Sequence, residues 1–163
     1  MARRVFFSFH YERDIWRANV VRKSWVTQDR ESAGFFDGSL QEAAKTKSPE
    51  RLRALIRGRI KGTSCTVVLI GAQTAQRRFV RYEIAESVVQ GNALVGVRIH
   101  GIKDARGQAD RAGANPFTRA EALGFYAPYA GLKIPVYRWN RDKGYENLGD
   151  WVERAVRKQR NQT

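Results

Sequence analysis

Hydrophobic and polar positions alternate along the chain between short apolar runs and amphipathic stretches. The first run, RVFFSF at residues 4–9, sets Val5, Phe6, Phe7 and Phe9 almost side by side, the pattern of a strand buried on both faces. DIWRANVVRKSWV follows with Ile15, Ala18, Val21 and Trp25 at helical spacing, and Asp14 stands where an N-terminal cap belongs. A weaker strand is predicted around GFFDG, between the turn glycines Gly34 and Gly38. SPERLRALIRGRI opens with serine, proline and glutamate, three signals of a helix start. CTVVLIG, β-branched and apolar from Thr66 to Ile70 and ended by Gly71, is the clearest strand. RRFVRYEIAES then reads as a helix and ALVGVRIHG as a strand closed by His100 and Gly101. A polar, glycine-rich loop leads to the strand IPVYRW and the amphipathic helix NLGDWVERAVRKQR.

Strands that alternate with helices and are apolar throughout predict an α/β fold with a parallel sheet covered on both faces. Five strands in a chain of this length suggest a three-layer sandwich of flavodoxin-like order 2-1-3-4-5, with residues 1–163 forming one domain. Ligands of such sheets bind beyond the carboxyl ends of the strands, at the switch point between the first and third. That rule selects Ser8, Phe9, His10 and Tyr11 after the first strand and Gly71 to Thr74 after the third. Glu83 lies on the helix leaving the second of these loops.

Composition changes this picture little. Lysine and arginine number 30 against 16 acids, a net charge of +14 that would attract nucleic acid, acidic proteins or phosphorylated molecules without choosing among them. The cations are spread along the chain and no nucleic-acid-binding motif accompanies them, so a generally cationic, solvated surface is expected in preference to a nucleic-acid site. The single cysteine, Cys65, fits a buried strand position better than a reactive thiol. No apolar run approaches the length of a membrane span and the start, MARRVFF, leads directly into a strand, so the expected location is the cytoplasm and no membrane partner is expected.

Several chemistries lack their residues. There is no phosphate-cradling P-loop, no G-x-G-x-x-G after the first strand, and no aspartate closing the third strand where a receiver domain would carry one. His10 and His100 both fall at carboxyl ends of strands and could face one crevice, yet neither has a Cys, Asp or Glu partner at metal-ligand spacing, so no metal site is expected. Glu83 sits among Phe79, Val80 and Ile84, but Glu86 and Ser87 follow within a turn; pattern alone allows either a reagent beside a pocket or a polar face in water. Phe79, Tyr82, Trp16 and Trp25 read, by themselves, as packing aromatics, the two tryptophans in the core.

Four segments, RVFFSFHYERD, VVLIGAQTAQRRFVRYEIAES, LVGVRIHGIKDARGQADRAGANPF and GYENLGDWVERA, together resemble the TIR-like family typified by the sensor proteins of the Thoeris anti-phage defence system. The resemblance implies a TIR-type fold and cleavage of NAD, as substrate and not cofactor, with release of nicotinamide and formation of a cyclic ADP-ribose-type signal. That diffusible signal would activate a partner effector, and activity would await a phage-derived cue that promotes homo-oligomerisation. Because TIR relatives include pure interaction modules, a catalytically silent adaptor is the alternative. Position by position, the catalytic glutamate of TIR enzymes falls on Glu83. Phe79 replaces the tryptophan that commonly stands four residues earlier, keeping an aromatic wall without the indole N–H. Ser8, Phe9 and His10 match the segment bordering the pocket, and Asp37 falls in the loop region after the second strand. A carboxylate suits the chemistry, because loss of nicotinamide leaves positive charge on the ribose that one anion can stabilise.

Overall fold

In the computed structural model, residues 3–26, 31–33, 48–118 and 133–161 are described, residues 31–33 by backbone alone. The elements are β1 (Arg4–Ser8), α1 (Tyr11–Val26), β2 (Glu31–Ala33), α2 (Pro49–Ile60), β3 (Cys65–Ile70), α3 (Arg78–Val89), β4 (Ala93–Arg98), β5 (Val136–Arg138) and α4 (Gly144–Asn161), with single 3-10 turns at Thr74–Gln76 and Pro116–Thr118. All strand pairs are parallel, as the unbroken apolar runs predict, and the sheet runs β2-β1-β3-β4-β5. Ser8 lies opposite Val68, and Ile70 opposite Arg98, so β3 and β4 end together and β1 ends two residues short of them.

Side chains alternate across the sheet, and each face has its own core. On one face Val5, Phe7, Val67, Leu69, Val95 and Val97 pack under α1 and α4, with Trp25 edge-on to Phe7 at 6.3 Å between ring centroids. On the other, Val68, Ile70 and Leu94 meet Val80 and Ile84 of α3, while Phe6 meets Leu52, Ile56 and Ile60 of α2 together with Tyr82. Every residue of β3 is buried. Cys65 is among them, and burial pushes its thiol up to about 12, which removes the thiolate that reactivity would need. Among the described residues no helix is long and apolar enough to cross a membrane.

Three sequence expectations need correction or relocation. Ser48 caps α2 as expected, its Oγ accepting the Arg51 N–H at 3.3 Å, but Asp14 does not cap α1. The helix begins at Tyr11, where His10 takes the capping role by accepting the Arg13 N–H on Nδ1 at 3.3 Å, and Asp14 is carried inside the first turn, 0% exposed. Starting there, α1 turns Asp14, Arg17, Ala18, Val21 and Trp25 toward the sheet. Trp16, two residues and so roughly 200° around the helix from Ala18, is left outside; it is 52% exposed and not a core residue. The second strand lies at Glu31–Ala33, pairing with β1, and GFFDG falls outside the described residues.

Candidate active site

Glu83 sits in the middle of the inward stripe of α3. Val80, Ile84 and Ser87, at i−3, i+1 and i+4, are all buried, and Glu83 itself is 2% exposed. That rules out the polar face in water: Glu86 and Ser87 are buried too. The Ser87 hydroxyl donates back to the Glu83 carbonyl at 2.7 Å and meets Thr66 Oγ1 at 2.6 Å, fixing the helix to β3 behind the carboxyl. Glu86 differs from Glu83 in having a cation, the Arg57 guanidinium at 3.3 Å.

At the end of β1, Ser8 faces the same side of the sheet as Glu83 and is 0% exposed. Its hydroxyl donates to Glu83 Oε1 at 3.3 Å across 75 residues of sequence. No ion pair to Glu83 is found among the described residues, so burial outweighs this hydrogen bond and raises the Glu83 carboxyl well above the usual range. The group is a buried acid held toward its neutral form at the carboxyl end of a parallel sheet, where ligand sites of this topology lie.

The other expected site residues divide. His10 is 5% exposed and its imidazole is lowered from its ordinary value, by burial first and by the charge of Arg77 next, which favours its neutral form. Phe9 points to the opposite face of the sheet, in the core beneath α1 with its ring 6.1 Å from that of Tyr11, so it does not stand with Glu83. Phe79 is half-buried and packs toward Leu52, Ile56, Ile60 and Tyr82 at the junction of α2 and α3. Asp37 falls outside the described residues. No group of three His, Cys, Asp or Glu side chains that could hold a metal ion occurs among the described residues.

Sequence reasoning missed a second group at the same end of the sheet. Asp14 lies against the Gly71 backbone, where a Cβ would overlap its carboxyl, and Gly113 closes on the Gly71 and Ala72 carbonyls from another direction. Arg98 Nη1 donates to the Gly113 carbonyl at 2.7 Å. Arg17 spans from α1 to the loop after β4, donating to the Ile102 carbonyl at 2.7 Å and the Gln108 carbonyl at 3.0 Å, while Arg13 forks onto Asp110 at 2.8 and 2.9 Å. The Arg13 fork holds Asp110 down at about 2, whereas burial pushes Asp14 up to about 6 against the opposing charge of Arg17. The available signal was the buried stripe itself, since Asp14 and Arg17 share the spacing of Ala18, Val21 and Trp25.

Two of three comparisons with known proteins bear on the family of this chain. The model of the family "Thoeris protein ThsB, TIR-like domain" matches residues 6–104, the segment that runs from β1 past β4 and carries both Ser8 and Glu83. A Bacillus cereus (strain MSX-D12) protein named "Putative cyclic ADP-D-ribose synthase ThsB1" is 46% identical over 148 residues, covering 90% of this chain and 76% of that protein. A solved structure, the CMP N-glycosidase BcmB of Clostridium botulinum, aligns at 17% identity with a TM-score of 0.41 over 58% of this chain and 68% of that one, a likeness too loose to bear on fold or activity. With more than half of its length matched by the family model and nearly half of its residues shared with a relative of comparable extent, this chain belongs to the TIR-like domain family of Thoeris ThsB proteins.

Proposed function

We propose that this protein is an anti-phage defence enzyme of TIR-type, flavodoxin-like fold that cleaves NAD at the bond between nicotinamide and ribose and closes the remainder into a cyclic ADP-ribose-type signal for an effector. The observation that carries this reading is the Glu83 carboxyl, buried at the carboxyl end of the sheet and hydrogen-bonded only to Ser8 among the described residues. The name borne by the Bacillus cereus relative agrees with it.

The chemistry follows from charge. Nicotinamide leaves as a neutral molecule and needs no general acid, while positive charge grows on the ribose ring as the glycosidic bond lengthens. A carboxylate beside that ring binds the transition state more tightly than the ground state, and a dry site strengthens the attraction. Burial shifts the resting Glu83 carboxyl toward its neutral form, and the pyridinium charge of bound NAD favours its ionisation. Ser8 then donates to the carboxylate and aims it. Exclusion of water lets an internal group of the nucleotide capture the ribosyl cation in place of solvent.

The test is incubation with NAD, alone and with phage-infected lysate as the source of a cue that promotes assembly, following nicotinamide and cyclic products by chromatography. Turnover that disappears in a folded Glu83→Gln protein supports the reading, and absence of turnover under every activating condition removes it. One observation favours the second reading, a silent adaptor: α1 presents Trp16, 52% exposed, and Val20, 37% exposed, one turn apart on its outer face. An adaptor would keep partner binding in Glu83→Gln and lose it in Trp16→Ala.

A further inference from the structure

A second carboxyl stands at the same end of the sheet with its hydrogen-bonding capacity unused. Asp14 is 0% exposed, and neither of its side-chain oxygens has a hydrogen-bond partner among the described residues. The nearby guanidinium groups are committed elsewhere, Arg13 to Asp110 and Arg17 to the Ile102 and Gln108 carbonyls. Arg17 Nη1 comes no nearer to Asp14 Oδ1 than 3.7 Å, beyond hydrogen-bond length. His100 Nδ1 is likewise buried without a partner, and His100 has Arg17 and Asp110 as electrostatic neighbours in common with Asp14. Both orphaned groups flank the end of β3, where the Ile99 N–H bonds the Ile70 carbonyl and Gly71 leads into the turn before α3.

A residue serving the fold alone would not stay this way, because a buried polar group without a partner is destabilising and a charged one more so. Asparagine, or an apolar residue of similar size, would fill the space without an unpaired acid. Stored cost of this kind collects where a ligand later supplies the missing partner. The glycine at 71 supports the same idea, since only an absent Cβ lets a carboxyl lie against this backbone.

We propose that Asp14 is a second polar anchor of the substrate site, accepting hydrogen bonds from a donor-bearing part of the nucleotide, a ribose diol or the nicotinamide carboxamide. This assignment rests on the NAD reading above and deepens it. Glu83 holds the reacting ribose from the α3 side of the sheet, and Asp14 fixes a neighbouring part of the same molecule from the α1 side.

Turnover and retention of radiolabelled NAD are measured on the wild-type chain, and retention of NAD and of ADP-ribose on the full chain carrying Glu83→Gln, with and without Asp14→Asn, all in the presence and absence of infected lysate and alongside the thermal midpoint. The expected result is at least tenfold weaker NAD retention in the double variant with an unchanged or higher midpoint, a combination that a merely structural role would not give. Equal weakening toward ADP-ribose assigns the ribose diol; weakening toward NAD alone assigns the carboxamide. NAD retained equally well with and without Asp14→Asn overturns the proposal and leaves the NAD reading standing. Failure of the wild-type chain to turn over or retain NAD in any arm removes that reading and this assignment with it. Should the asparagine variant not fold, Asp14→Ser, which keeps one acceptor oxygen, is read in the same assay.

Discussion

Glu83 and Asp14 are both acids buried at the carboxyl end of one sheet, yet they occupy opposite faces and opposite electrostatic settings. Glu83 is surrounded by apolar side chains and the hydroxyl of Ser8, with no cation paired to it among the described residues. Asp14 lies inside a ring of charge made by Arg13, Arg17, Asp104 and Asp110, with no side-chain hydrogen bond among the described residues. The difference teaches that burial alone does not define a reagent. Glu83 has an oriented hydroxyl and an empty charge balance, which suits a group meant to face a developing cation. Asp14 has charge balance without a donor, which suits a group meant to receive one.

The sharpest way to break the comparison is to move one carboxyl slightly. Glu83→Asp withdraws the acid by one methylene from Ser8 while leaving its chemistry intact. Because a misplacement of about 1 Å can cost on the order of 10²-fold, kcat for NAD cleavage should fall by at least that much with KM little changed. Activity surviving the shortening would mean that the carboxylate does not act at close range on the ribose.

Stability separates the two acids next. Asp14 is raised from 3.8 to about 6 in the fold, so the native state keeps its proton to higher pH than the unfolded chain does. Between those values the folded protein holds more protons, and stability declines as pH rises through the window, by about 3 kcal/mol in all. The neutral amide introduced by Asp14→Asn would carry no such penalty. Urea unfolding of Asp14→Asn and wild type should therefore coincide near pH 4 and diverge by about 3 kcal/mol in favour of the variant above pH 6. Glu83→Gln should show a gain of the same sign at neutral pH, since the Glu83 carboxyl is also raised.

How far these features can be read from sequence depends on what sets them. The phase of α3 comes from its own residues, since Val80, Ile84 and Ser87 place Glu83 on the buried stripe, and the carboxyl end of β1 places Ser8 opposite. The phase of α1 is hidden because its cap comes from His10, outside the helical pattern, and the side chain that looks like a cap, Asp14, is carried inward. Hydrophobicity alone argues for Trp16 in the core, but a helix of fixed pitch cannot turn it inward together with Ala18 and Val21. The Arg17 clamp joins residues 85 positions apart, and no local periodicity reports such a closure. Phe9 follows the strand's alternation to the face away from Glu83, a distinction that assigning a whole segment to the pocket does not resolve.

A smaller effect tests the hydroxyl that singles out Glu83. Ser8→Ala removes the one hydrogen bond that opposes the rise of the Glu83 carboxyl among the described residues, so that acid should hold its proton to still higher pH. The limb of the pH–rate profile on which activity rises with pH should move toward alkaline values, and at neutral pH kcat should fall about tenfold, the size of one hydrogen bond to a charged group. A fall in rate without displacement of the profile would make Ser8 a packing residue.

The smallest effect belongs to Glu86, one turn beyond Glu83 on the same helix. Its side chain is 8% exposed, but its partner Arg57 is 59% exposed, so the pair at 3.3 Å is reached by solvent and screened by salt. Glu86→Gln keeps a polar group in the same place and gives up only this pair. It should cost about 0.5–1 kcal/mol in urea unfolding, less as salt is added, and leave NAD turnover within about twofold, the order expected of a surface pair. Both acids lie on the buried side of α3, so helix geometry alone would allow either to be the reagent. If Glu86→Gln abolished turnover while Glu83→Gln did not, the charge that stabilises the ribosyl cation would lie beside Arg57, and the lack of a paired cation at Glu83 would be a feature of packing instead of catalysis.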